Sequence, residues 1–518
     1  VKLKTTILPR VLQILFLLAV ISTLQHQVVG EFLPDFSIPD RAHEDLFRFD
    51  CSINRISPQS RSLNISCTTS PLSTGRFGLH FTDQFAGVDR LSERVFALKL
   101  RGENNLVLQP EISGDGLYFF KNDKHSQKIT INYEMHLSRA LDPSQYALVS
   151  TIGPEAGFLM LGDLLPSLCP EAARDCEPGR VRLRITSPGG WKVATTEKAS
   201  GDSFEVVDQR RAIFLLGNFR ERTVVSTNAM KIRFVVAGVW SFGDEEIFKL
   251  AEAIGREQAA IVEGAETGDF LVGLAPFPLP LTGLRSSAIT VARTVVLQLN
   301  PNNNPAQTFA HFRRHLAHEM FHFYLPNAFR VRENFDWFWE GFTRYIALLT
   351  LVRLQKIGLS EYLDAIGEEY EAYAFNPSRL EISLINASPA KFRNYANYDL
   401  VYRKGMLVAA LYDLELRWQS RGKYTVTDVM REIYQSYARN HVEIGNSEVL
   451  SVLNRLGDFK QLIRDWIEGT REILIAEKIK SYGLVVEWSP MTRGKVRISR
   501  SAKLSARQHD LMDRLVKR

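Results

Sequence analysis

The sequence predicts a multidomain α+β chain, and three observations predict it. Short alternating or β-branched runs fill the first half, turn residues separate them, and beyond about residue 240 the hydrophobic period lengthens to the helical one. With 518 residues, 45% of them hydrophobic and 24% charged, the chain has material for about three globular domains and is no candidate for a disordered one. The net charge of +6 comes from Lys and Arg interspersed with acids until the stretch from Arg493 to Arg518, and is read as a solvated surface. No basic and aromatic platform accompanies it, so a nucleic-acid partner is not expected.

Taken in order, residues 1–30 read as a secretory signal peptide. Lys2, Lys4 and Arg10 precede an apolar run from Val11 to Leu24, and Val28-Val29-Gly30 stands before Glu31 as a cleavage point. The run is shorter than the roughly 20 apolar residues that span a bilayer, which makes a retained N-terminal anchor the alternative reading. No later segment is long enough to cross a membrane. An exported protein, periplasmic or extracellular and without a stable span after signal cleavage, is therefore expected.

Residues 31–239 read as a β-rich domain. Lys128 to Tyr133, Arg180 to Ile185 and Lys231 to Val236 alternate, and Ser113-Gly114-Asp115-Gly116 and Ser187-Pro188-Gly189-Gly190 supply turns. Four cysteines behind a signal peptide suit an oxidising compartment, so Cys51 is paired with Cys67 and Cys169 with Cys176 in two local disulfides. The domain holds no catalytic constellation and is expected to wall a cleft or hold a partner. Residues 240–350 are mixed, with a helix from Glu245, strands near 269–274 and 288–299, and a polar loop at Asn300 to Pro305 that opens a helix ended by Pro326. Residues 351–485 are helical, with a capping box at Thr425 to Asp428, and 486–518 read as a basic C-terminal tail.

The chemistry concentrates at His318-Glu319-Met320-Phe321-His322 and Trp339-Glu340-Gly341-Phe342-Thr343. Residues four apart on a helix point the same way, so His318 and His322 can present two neutral imidazoles to one ion, with Glu340 as third ligand. Two His and one Glu leave a fourth position open, as a catalytic zinc site requires and a closed structural site does not. Glu319 then stands beside the metal as general base for a zinc-activated water. His311, His315, His318 and His322 share one narrow helical stripe, with Phe309, Phe312, Leu316 and Met320 opposite. The blander reading is a solvated or core-capping histidine face. His311 and His315 repeat the spacing but lack an adjacent acid, and are read as cleft-lining or surface residues.

These motifs, with Tyr402-Arg403-Lys404-Gly405, resemble the glycyl aminopeptidase family of gluzincin zinc peptidases, relatives of the aminopeptidase N group. The likeness runs from about Gly283 to Glu487 and is looser beyond Tyr402, where Gly405 to Arg417, Asp428 to Arg431 and Ile467 to Thr470 carry it. It implies a thermolysin-like catalytic domain at 240–350 between the β-rich and helical domains. It also implies that Tyr402 donates a hydrogen bond to the oxyanion of the tetrahedral intermediate.

Two departures stand out. Where the family carries a Gly-Gly-Leu-Glu-His-like segment, with a Glu that in the related aminopeptidases holds the substrate's amine, this chain has Gly283-Leu284-Arg285. An arginine there repels an α-ammonium group. The residues after Val485 are also too few for the PDZ module that many family members carry. The expectation is an exported zinc metallopeptidase acting on peptide or protein substrates, aminopeptidase-like, with zinc as cofactor. The alternatives are an endopeptidase of the same fold and a non-catalytic envelope binding protein.

Overall fold

In a computed structural model, residues 48–518 are described except 140, 171–178, 226–229, 264–267, 489–494 and 517–518. The expected signal segment and Cys176 lie outside the described residues.

The first layer grows from a hairpin. β1 (Phe49–Ser57) and β2 (Ser62–Thr69) pair antiparallel in the middle of an eight-stranded sheet, with β3 (Thr130–His136) on the far side of β2. Period-two patterning explains the burial: Phe49, Cys51 and Ile53 face the core, and the residues between them are only half-buried. Cys51 stands directly opposite Cys67 and is disulfide-bonded to it, as the spacing predicts. Cys169 is also disulfide-bonded.

The second layer is a five-stranded sheet made of β4 (Arg220–Val225), β5 (Met230–Val236), β6 (Gly268–Pro276), β7 (Ser286–Val291) and β8 (Thr294–Leu299), in the spatial order 4-5-6-8-7. Its central strands β5, β6 and β8 run parallel, and α1 (Asp244–Val262) makes the crossover from β5 to β6. The edge strand β7 returns antiparallel to β8, with Val291 opposite Thr294. β4 and β5 precede residue 240 yet pair within this sheet, so the change of architecture comes earlier than the change of period suggests. Alternation identifies a strand but not its partner, which is why the sequence placed both with the β-rich domain.

α2 (Pro305–Phe321) follows β8 and packs on the sheet through Phe312, Leu316 and Met320, all at 1% exposure or less. Asn304 caps its start by accepting from the Gln307 amide, with Pro305 at the first helical position. The helix ends at Phe321, before Pro326. His322 closes it at φ −64, ψ −14, still helical enough to keep the four-residue register with His318.

The rest of the described residues are mostly helical, and one contact among the helices matters most. α3 (Asp336–Arg353) crosses α5 (Tyr395–Ser420) where Gly341 meets Gly405, and a methyl group on Gly341 would overlap the Gly405 backbone. The two glycines let the helices touch, which brings Glu340 and Tyr402, one and three residues away, to the same place. The stretch read as a solvated basic tail is instead folded. Leu484–Trp488 and Val496–Arg500 form a hairpin against α4 (Leu359–Phe375), and Ala506–Val516 is a helix with Leu511, Met512 and Leu515 buried. Its apolar residues, three or four apart, supply a packing face that a count of charge conceals. Among the described residues, no helix is long and apolar enough to cross a membrane.

Candidate metal centre

Three donor atoms converge between α2 and α3. His318 Nε2 and His322 Nε2 lie 3.1 Å apart, and Glu340 Oε2 lies 3.4 Å from each. Ligand atoms about 2.0–2.1 Å from a tetrahedral zinc stand roughly 3.3 Å from one another, so the spacing suits one such ion. Glu340 Oε2 and His318 Nδ1 are buried without a hydrogen-bond partner. His322 Nδ1 lies 2.7 Å from the Leu325 carbonyl oxygen; donating there, it turns the Nε2 lone pair toward the cluster. Among the described residues, these three form the His, Cys, Asp or Glu cluster able to hold a metal ion, and the donor set fits zinc.

The electrostatics follow from burial. Desolvation pushes His318 down to about 4. At His322 burial acts in the same direction, but Glu340 and Glu319 outweigh it and hold the ring up, at about 9. Two imidazole nitrogens this close cannot both carry protons, so the pair holds at most one between them or turns both lone pairs to a cation. Burial opposes the Glu340 charge too, yet Lys391 and the two imidazoles keep its carboxyl well below the usual range.

Glu319 stands on the same helix, outside the donor trio but close enough for His322 and Glu340 to act on its charge. Its carboxylate Oε2 is 2.7 Å from Thr290 Oγ1 on β7, and its own backbone carbonyl is 2.9 Å from that hydroxyl. Burial pushes the carboxyl up to about 7, a suitable value for a group that must take and return a proton near neutrality. Thr290 was not found from the sequence; a threonine inside an alternating strand carries no signal that distinguishes it.

Lys391 and Asp336 were also missed. Lys391 begins a short turn, Lys391–Arg393, that leads into α5, and its Nζ lies 2.5 Å from Asp336 Oδ2 and 3.5 Å from Glu340 Oε1. Asp336 is one helical turn before Glu340 and could have been suspected from that spacing; Lys391 is too distant in sequence to offer a clue. Tyr402 lies on α5 with its ring centroid 6.5 Å from that of His318 and 5.7 Å from Lys391 Nζ. Burial, reinforced by Glu340, holds its phenol well above the ordinary value, so it stays a neutral donor.

The outer histidines are neither metal-binding nor free. Ser286 Oγ lies 2.6 Å from His311 Nε2 and 3.2 Å from His315 Nε2, and His315 Nδ1 is 3.0 Å from the His311 carbonyl oxygen. One tautomer satisfies all three contacts: His315 donates to the carbonyl, Ser286 donates to His315, and His311 donates to Ser286. The adjoining loop is held by Asn300 Nδ2, 2.8 Å from both the Leu281 and the Gly283 carbonyl oxygens. Gly283 takes a φ of +73° there, and Leu284 and Arg285 are exposed. Arg285 acts on Asp142 of the β-rich part. Ser144 hydrogen bonds are the main cause of the lowered Asp142 pKa, and Arg285 adds to them.

No protein-family model matches the chain, and no curated protein matches it. Solved structures do. An aminopeptidase N family protein from Idiomarina loihiensis aligns with a TM-score of 0.72 at 19% identity, over 85% of this chain and 79% of that one. An M1 zinc metallopeptidase from Deinococcus radiodurans aligns with a TM-score of 0.51 at 15% identity, over 85% of this chain and 98% of that one. A variant of the latter, bound to a Tyr-Ser-Ala substrate, aligns with a TM-score of 0.51 at 14% identity, over 83% and 95%. The likeness defines the class of architecture: an N-terminal β region and a helical C-terminal region around a thermolysin-like peptidase fold. Within that fold, this chain carries a His-His-Glu cluster suited to one zinc ion.

Proposed function

We propose that the protein is a zinc-dependent metallopeptidase that hydrolyses peptide bonds in an aminopeptidase-like manner, as the resemblance to glycyl aminopeptidases suggests. The observation that carries this reading is the convergence of His318, His322 and Glu340 within 3.4 Å, with buried Glu319 beside them. When bound, zinc supplies Lewis-acid polarisation of the scissile carbonyl and lowers the pKa of a water at its open position to about 7. Glu319, steadied by Thr290, takes the proton of the attacking water and passes it to the departing amine. The phenol of Tyr402 donates a hydrogen bond to the carbonyl oxygen as negative charge gathers there. Burial of Glu319 and Tyr402 lowers the local dielectric and strengthens both interactions.

The test is a pair of treatments on the full chain. Chelation should abolish peptide hydrolysis reversibly, and Glu319→Gln should abolish it while zinc content stays at that of the wild type. Normal turnover in that variant would remove Glu319 from the mechanism.

One observation favours a second reading, an endopeptidase. Arg285, which is exposed, stands where the resemblance would put the amine-holding glutamate, and its positive charge there would repel a free α-amine. Peptides differing only in N-terminal acetylation distinguish the modes, since an aminopeptidase cuts the free peptide alone. The expected secretory leader supports an exported location for either.

A further inference from the structure

Lys391 is buried, at 7% exposure, between two carboxylates on successive turns of α3. Glu340 is divided between two partners: Oε2 faces the imidazoles at 3.4 Å, and Oε1 faces the Lys391 ammonium at 3.5 Å. Asp336, fully buried, holds the same ammonium at 2.5 Å. A buried ion pair is a poor source of stability, because replacing both partners by apolar groups is often neutral or favourable. Its position against a ligand gives it a different use.

We propose that Lys391, anchored by Asp336, is a positioning residue that turns Glu340 so that one oxygen faces the metal and the other is withheld. One-oxygen ligation keeps the remaining coordination position open for water and substrate. The inference rests on the metal-centre reading above. It also explains why a lysine is present at all, since charge alone acts the other way: a cation 3.5 Å from a ligand carboxylate weakens that carboxylate's attraction for a divalent ion.

That opposition of signs makes the test decisive. Zinc affinity of the full chain is measured by competition with a chromophoric chelator, and the cobalt-substituted protein is followed by its visible spectrum. If Lys391 positions Glu340, Lys391→Met weakens zinc about tenfold or more, and the cobalt bands lose intensity as the carboxylate swings to bind through both oxygens. Lys391→Arg, which keeps the charge and can reach both acids, should restore most of the affinity and the spectrum. Zinc bound by Lys391→Met as tightly as by the wild type, or more tightly, overturns the proposal. Should that variant fail to fold, Lys391→Met with Asp336→Asn leaves no buried charge without a partner and carries the same comparison: weakening supports the role, equal affinity overturns it. A wild-type chain that takes up no stoichiometric zinc defeats the metal-centre reading, and this inference with it. A wild type that binds zinc and cuts peptides beside an unaltered Lys391→Met defeats the inference alone.

Discussion

Two histidine pairs lie along α2 and its C-terminal cap with the same four-residue spacing, yet they do different things. The ring centroids are 4.2 Å apart in the His311 and His315 pair and 4.6 Å apart in the His318 and His322 pair, so the helix presents both alike. The partner that arrives from elsewhere in the fold separates them. α3 delivers the Glu340 carboxylate to the inner pair, adding a negative charge and a third potential ligand to the two imidazoles. β7 delivers the Ser286 hydroxyl to the outer pair, completing a closed chain of neutral hydrogen bonds. Helical spacing nominates a ligand pair, and the third group determines its chemistry.

The largest effect should come from removing the group that separates the pairs. Glu340→Ala should lose stoichiometric zinc and all peptide hydrolysis, measured by metal analysis and turnover, whereas Ser286→Ala should leave zinc content unchanged. Retained zinc in the first variant would break the comparison. Next, Tyr402→Phe should lower kcat by about 10²- to 10³-fold without changing metal content, as removal of one oxyanion donor does. An unaltered kcat would take Tyr402 out of the inner site.

The glycine contact that brings the acid to the inner pair should have a smaller effect. Gly341→Ala forces α3 away from α5 and should cost about 1–3 kcal/mol of stability by denaturant unfolding, together with a fall in zinc affinity. A stable variant with normal affinity would show that the close approach is dispensable.

The outer pair makes the mildest prediction. Burial pushes His311 to about 3 and His315 to about 4, so both stay neutral in the folded protein while an unfolded imidazole near 6.5 takes up a proton. Depressed folded values mean stability that is present above about pH 6.5 and is lost as the pH falls toward 4. In zinc-loaded protein, Tm should decline across that window, and His311→Asn with His315→Asn should decline less steeply. Equal slopes would indicate that these two imidazoles do not contribute.

Much of the inner site was legible because its parts are local. His318, Glu319 and His322 lie within one turn and a half of helix, and Glu340-Gly341 follows after a short link. The apolar face of Phe312, Leu316 and Met320 was equally plain from periodicity, as was the Cys51 and Cys67 hairpin from its flanking runs. Thr290, Lys391 and Ser286 were not legible as site residues. Each acts across a long sequence separation through one pair of contacts, and so few contacts leave no periodic trace. The same limit misplaced β4 and β5, whose alternation is indistinguishable from that of the preceding strands, and hid the packed helix Ala506–Val516 beneath its charge.

By itself, the sequence determined the two periodicities, the metal-ligand spacing and the acid beside it, because backbone geometry repeats every few residues and writes those features into neighbouring positions. Tertiary structure alone decided which histidine pair receives a carboxylate, what holds Glu319 and Glu340 in place, and which sheet each strand joins. Those outcomes depend on where distant segments meet, and that is set by packing summed over the whole core.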